Sequence, residues 1–261
     1  MSSPSRRRVM AVVKRDLLVQ KRNPGYWFLL LILPLVDGLL FGSIGVAYGQ
    51  GDGPVRMLVT GIFLFHMIWQ LTLAGSLGLL EEVWSRNLLN LIATPLTERE
   101  FLGALGIVGL LRTVVSVTVI ALVGFGFYAV APDDAGWVLI PAAAILLLFG
   151  WAITLGVIAA TIQYGDSAEV FSWGTLVLIM PLSGFFYPIE SLPTALEAIA
   201  RVIPLTYVFQ AVQQGLETGT VAWGDLGIAA LGTVVLLGLM SWLLAHQLHR
   251  FRREGWVTRF T

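Results

Sequence analysis

Residues 6–49 read RRRVMAVVKRDLLVQKRNPGYWFLLLILPLVDGLLFGSIGVAYG. A basic, amphipathic stretch is followed by the breaker Asn23-Pro24-Gly25 and then by about 20 almost continuously apolar residues, the length a helix needs to cross a bilayer. The run is too long and starts too late for a cleavable signal peptide, and no soluble domain follows it. Residues 27–48 therefore predict a first membrane span, and residues 7–22 a helix lying in the membrane surface. On a helical wheel Arg7, Arg8, Lys14, Arg15, Lys21 and Arg22 share one half, and Val9, Met10, Val12, Val13, Leu17 and Val19 share the other.

Five more runs of this kind follow, at residues 57–80, 101–131, 136–162, 168–187 and 223–246. They are continuous rather than alternating, which indicates helices and not a barrel. The expected fold is an all-α integral membrane protein with six transmembrane helices, residues 1–261 forming one transmembrane domain. The composition agrees: 57% of the residues are hydrophobic and 12% charged. A soluble domain carries about a quarter charged residues, too many for this chain to match.

Lys and Arg concentrate at the two ends. Arg6 to Arg22 precede the first run, and Arg250, Arg252, Arg253 and Arg259 follow the last. Basic flanks stay on the side of synthesis, so both termini are expected in the cytoplasm, which an even number of spans satisfies. The zero net charge sums basic ends and acidic loops and so says little about partners; no nucleic-acid partner is expected. There is no cysteine, which excludes disulfides, thiol catalysis and Cys-ligated metals.

Two connections carry more information than the spans. The inner loop, residues 81–100, reads EEVWSRNLLNLIATPLTERE. It predicts a short helix, a break at Pro95, and a Thr97/Glu100 capping box opening the third span. Leu88, Leu89, Leu91 and Ile92 are expected to be exposed there, and such residues call for a partner surface or the bilayer interface. The outer connection, residues 188–222, predicts a short helix at 195–203 started by Ser191, Pro193, Thr194 and Glu197. After Pro204 comes a second apolar segment, 205–216, too short to span and expected to be re-entrant or interfacial.

Together these features resemble the membrane subunit of ABC type-2 exporters. The most specific stretch is 180–193, MPLSGFFYPIESLP, followed by 200–207, ARVIPLTY, similar to the family's S-G-x-x-x-P span ending and P-L-x-Y element. Residues 84–91 through Pro95-Leu96-Thr97 are similar to its coupling loop. The resemblance covers the whole chain. It implies a permease of a prokaryotic plasma membrane, working among membrane lipids as a dimer, with a second copy or as a heterodimer, with a separate ABC ATPase subunit below. Arg86, Asn87, Leu88, Leu89, Leu91 and Pro95 would dock on that subunit, and the 7–22 helix would link to it. Gly184, Phe185, Phe186, Tyr187 and Pro188 would form an outer gate. The cargo would be a drug, lipid, natural product or lipid-linked glycan. The chain has no G-x-x-x-x-G-K-[ST] stretch, so it binds no cofactor by a P-loop; ATP and Mg²⁺ would belong to the ATPase.

Four polar residues fall inside predicted spans: Asp37, His66, Gln70 and Arg112. Ionisable groups there face protein or water, because each costs roughly 2.5–3.5 kcal/mol at mid-bilayer. An Asp37–Arg112 pair would neutralise both. Alternatively Arg112 snorkels from an over-long helix toward the interface, and Asp37 makes another interhelical hydrogen bond or ion pair, or lines the pathway. His66 is expected to make a structural hydrogen bond rather than serve a proton relay. The aromatic residues near span ends, among them Trp69, Tyr128, Trp173 and Phe185, are expected in interface belts. No H-E-x-x-H or G-x-S-x-G is present, and Asp133-Asp134 reads as a solvated turn. A self-sufficient secondary transporter or channel is the competing function; it would move cargo down a gradient without ATP.

Overall fold

The computed structural model describes residues 5–48 and 52–254. Among these there is no strand. Helix α1 spans Arg6–Arg22. Asn23 breaks the chain and caps the next turn, its Oδ1 accepting from the Gly25 amide at 2.9 Å. The first span is then built in three continuous pieces: α2, Pro24–Trp27; a π-helical turn, Phe28–Ile32; and α3, Leu33–Tyr48. Helix α4 (Gly53–Trp84) is followed by the short α5 (Leu88–Ala93) and by α6 (Glu98–Tyr128). A 3-10 segment, Pro132–Val138, leads into α7 (Leu139–Tyr164). After another, Gly165–Ala168, come α8 (Glu169–Leu182), α9 (Thr194–Val202), α10 (Pro204–Thr218) and α11 (Trp223–Glu254).

Among the described residues five helices are long and apolar enough to cross a membrane: Pro24–Tyr48, Gly53–Trp84, Glu98–Tyr128, Ala135–Tyr164 and Trp223–Phe251. They match five of the six expected spans. The expected span at 168–187 is a helix of only 14 residues, about 21 Å long and short of the roughly 30 Å hydrocarbon core. It stops because Pro181 ends the backbone ladder and Gly184 adopts a left-handed φ of 70°. The outer connection contains the two expected helices, α9 and α10, bent by 93° at Ile203. So sharp a bend fits the re-entrant segment expected here.

Helix α4 is the centre of the bundle. Of its most apolar window 78% is buried, against 17% for α11, which leaves α11 at the periphery. The main core joins α4 to α7, α8 and α10 through Ile62, Leu64, Ile68, Leu146, Leu176 and Leu205. A second cluster seats α1 on α6 and α7, with Val12 and Val13 packed near Phe101, Leu105 and Ile158. The end of α11 reaches the end of α7, where Gln247 donates to Gln163 at 2.9 Å. Both ends of the described chain therefore lie at one end of the bundle, together with the α4–α6 connection.

The wheel drawn for α1 needs correction. Arg8, Val12, Arg15 and Asp16 form the face turned to the bundle, whereas Met10, Leu17, Leu18 and Val19 are exposed. Two cations are drawn inward because buried carboxylates wait for them.

Candidate coupling face and intramembrane seam

The α4–α6 connection is held at both flanks by α1. On the far flank, Arg8 Nη2 lies 2.7 Å from Glu100 Oε1, and Arg8 Nε lies 3.1 Å from Glu100 Oε2. The same carboxylate closes the expected capping box: Thr97 N donates to Glu100 Oε2 at 2.8 Å, and Glu100 N donates to Thr97 Oγ1. On the near flank, Arg15 pairs with the buried Glu82, whose Oε2 also accepts from Asn87 Nδ2 at 2.6 Å. Arg15 bonds Asp16 as well, at 2.9 Å. Burial raises the Asp16 carboxyl above its usual range, although the Arg15 guanidinium opposes this.

Arg86 has a backbone that few non-glycine residues adopt, with φ of 52°. Asn87 N bonds Glu82 O at 2.9 Å and Arg86 N bonds Val83 O at 3.0 Å. These are the two bonds of a Schellman ending, in which the left-handed position is usually glycine. Here an arginine occupies it, and its side chain is exposed. Pro95 is exposed between α5 and α6. Leu91, expected on the surface, is instead half-buried against the second core cluster. The side chains of Leu88, Leu89 and Ile92 lie outside the described residues, as do those of Asp133 and Asp134. Among the described residues, Trp84 is a large apolar side chain exposed on this face, at 45%.

Inside the bundle, α3, α4 and α6 share a polar seam. His66 Nε2 is 2.9 Å from Asp37 Oδ2, and His66 Nδ1 is 2.9 Å from Ser116 Oγ. With Asp37 ionised, Nε2–H donates to it and the Ser116 hydroxyl donates to Nδ1, so both ring nitrogens are satisfied. One turn further, Arg112 Nη2 donates to Gln70 Oε1 at 3.2 Å, and Gln70 Nε2 donates to Leu29 O at 2.9 Å. That carbonyl is free for a reason written in the sequence. In the π-turn Leu33 N bonds Phe28 O; the next bond would run from residue 34 to Leu29 O, but Pro34 has no N–H.

The expected Asp37–Arg112 pair is not formed. Asp37 takes His66, while Arg112 lies one turn away along α4 and α6, on the Gln70 level. Nor does Arg112 snorkel: it is 2% exposed, with the Tyr26 ring 5.2 Å from its Cζ. His66 does make structural hydrogen bonds, as expected, and it has the carboxylate neighbour that the sequence did not reveal.

At the opposite end, Gly184 turns the chain and Phe185 enters the core, 2% exposed. Its ring packs on Phe41, Phe65, Phe186 and Phe209 at centroid distances of 4.1–5.8 Å. Gly61 makes the room; a Cβ there would lie 2.6 Å from Phe185 Cε2. Phe186 and Tyr187 are half-buried and Pro188 is exposed, with Tyr187 Oη donating to Pro181 O at 2.8 Å. Of the aromatics expected in belts, Phe185 is buried, while Trp69, against Trp173 at 5.6 Å, and Tyr128, whose hydroxyl bonds Leu39 O at 2.7 Å, are half-buried.

Sequence reasoning missed Glu82, Glu100 as an ion-pair partner, Ser116, Tyr26 and the Leu29 carbonyl. The seven-residue spacing of Arg8 and Arg15, which puts them on one helix face, was the available signal for the first two.

A family model described as ABC-2 type transporter matches residues 7–216. The chain is also 31% identical over 87 residues to the capsule polysaccharide export inner-membrane protein CtrC of Neisseria meningitidis serogroup B. That alignment covers 31% of this chain and 33% of the relative, so the chain matches about a third of the length of that protein.

Proposed function

The chain belongs to the ABC-2 type transporter family, and from that premise we propose that it is the membrane subunit of an ATP-driven exporter, coupled to a separate ATPase subunit and paired with a second copy of itself. It is a multi-pass membrane protein and a transporter permease. The observation that carries the coupling assignment is the bracing of the 81–100 connection by α1 at both flanks, through Glu82 and Glu100.

Such bracing makes α1, the start of α6 and the end of α4 one stiff unit. The ATPase supplies ATP and Mg²⁺ binding, and its closure pushes on this unit from the cytoplasm. Trp84, Arg86 and Pro95 are the exposed groups placed to receive the push. Helices α4 and α6 then carry the displacement past the seam at His66 and Arg112 toward the outer gate at 184–188. The membrane orientation follows from the basic ends, which belong on the cytoplasmic side. Among drugs, lipids, natural products and lipid-linked glycans, the export role in the name of the meningococcal relative favours a glycan cargo.

The test is reconstitution with and without the ATPase subunit. ATP hydrolysis and export that require both polypeptides support the reading. Full gradient-driven flux from the chain alone, without ATP, overturns it.

A further inference from the structure

Arg112 is a buried cation with no carboxylate among the described residues in contact with it; the Glu81 carboxylate answers its charge only from a distance. It is 2% exposed, yet Nε and Nη1 have no hydrogen-bond partner. Among the described residues no carboxylate lies within ion-pair distance of it. Its two contacts are the neutral amide of Gln70 and the face of Tyr26. A buried unpaired charge is costly, and the cost is avoided when an anion with suitable hydrogen-bond geometry arrives. Guanidinium N–H groups in a fork match the oxygens of a phosphate group.

We propose that Arg112, backed by Gln70 and covered by Tyr26, is the floor of a binding site for the phosphate group of an anionic membrane amphiphile. The position supports this ligand. Tyr26 belongs to α2, a single turn between the breaker at Asn23 and the π-turn at Phe28. It sits where the first apolar run begins. Lys21 and Arg22, exposed at the end of α1, stand immediately before this elbow and attract anionic head groups to it. Across the elbow Trp27 Nε1 donates to Lys21 O at 3.2 Å, and Tyr26 N donates to Asn23 O at 3.1 Å. Displacing Tyr26 uncovers the two unpartnered N–H groups. Tyr26 contributes an aromatic face that favours the cation while the site is empty. The site does not depend on coupling to an ATPase.

Native mass spectrometry of the full chain in detergent tests it, with dioleoyl phosphatidic acid, dioleoyl phosphatidylcholine and inorganic phosphate as probes. The expected result is a preference of about tenfold or more for phosphatidic acid over phosphatidylcholine, lost in Arg112→Gln and Arg112→Met, retained in part in Arg112→Lys, and unchanged in Lys14→Gln. Arg112→Met removes the buried charge without a large volume change, so it should keep the wild-type melting temperature or raise it. Unchanged preference in Arg112→Met overturns the proposal, as does a melting temperature that collapses in Arg112→Met while Arg112→Gln keeps its lipid. Inorganic phosphate competing as strongly as phosphatidic acid would overturn the amphiphile as the ligand.

Discussion

Arg8 and Glu100 are 92 residues apart in sequence and joined by two guanidinium nitrogens to both carboxylate oxygens of a residue that also caps α6. One carboxylate thus fixes where α6 begins and where α1 lies. If this joint transmits movement, Arg8→Ala should leave ATPase binding intact and lower ATP-driven export several-fold, the scale of roughly 0.5–2 kcal/mol at which residues along a coupling network act. The exchange Arg8→Glu with Glu100→Arg should restore part of the loss. Export assays on the two single variants and the pair decide it, and an exchange no better than either single variant would count against the joint.

Arg86 makes a separate prediction because its backbone and its side chain pull apart. Glycine at this left-handed position should raise thermal stability by about 1 kcal/mol, since the Cβ strain disappears. The same Arg86→Gly variant should couple less well to the ATPase, because the exposed guanidinium is gone. Thermal unfolding and ATPase stimulation are measured on the same preparation. A variant that gains stability and keeps full stimulation would remove Arg86 from the docking face.

Much of this was legible in the sequence. Continuous apolar runs give spans, because bilayer thickness sets their length. The Thr97/Glu100 capping box and the helices at α9 and α10 follow from local start signals, and local signals need no knowledge of neighbours. The seam was half legible. Asp37, His66, Gln70 and Arg112 stand out as polar residues in apolar runs, but their pairing depends on the register of α3, α4 and α6, which composition does not specify. The length of α8 was misread because Ser183, Gly184 and the aromatic residues after them are as apolar as a span while the backbone has already turned.

The register has a thermodynamic signature. A double-mutant cycle between Asp37→Asn and His66→Gln should give an interaction energy of about 0.5–3 kcal/mol, because the groups share a hydrogen bond. The cycle between Asp37→Asn and Arg112→Gln should be additive within about 0.5 kcal/mol. Chemical unfolding in detergent or bilayer discs reads both, and the opposite ordering would contradict the seam.

Asp16 predicts a pH effect on α1. Its carboxyl is raised by burial, so the folded chain binds this proton more tightly than the unfolded chain does. The native state is therefore favoured at low pH and loses that advantage as pH rises from about 4 through the raised value. Asp16→Asn should remove the decline and stabilise the docked α1 at neutral pH. Hydrogen exchange of α1 amides across pH is the measurement; a profile identical in wild type and variant would show that Asp16 does not titrate in the docked helix.

The central claim is that this end of the bundle receives an ATPase. It is tested most directly by placing a photoreactive phenylalanine analogue at Trp84, exposed on the coupling face, and irradiating membranes of cells making the chain at native level. The account predicts a cross-linked product containing a P-loop ATPase, identified by its peptides, with no such product from the same analogue at Phe125 on the opposite half of α6. Cross-links at residue 84 to lipid alone, with no P-loop ATPase among the products, would contradict it.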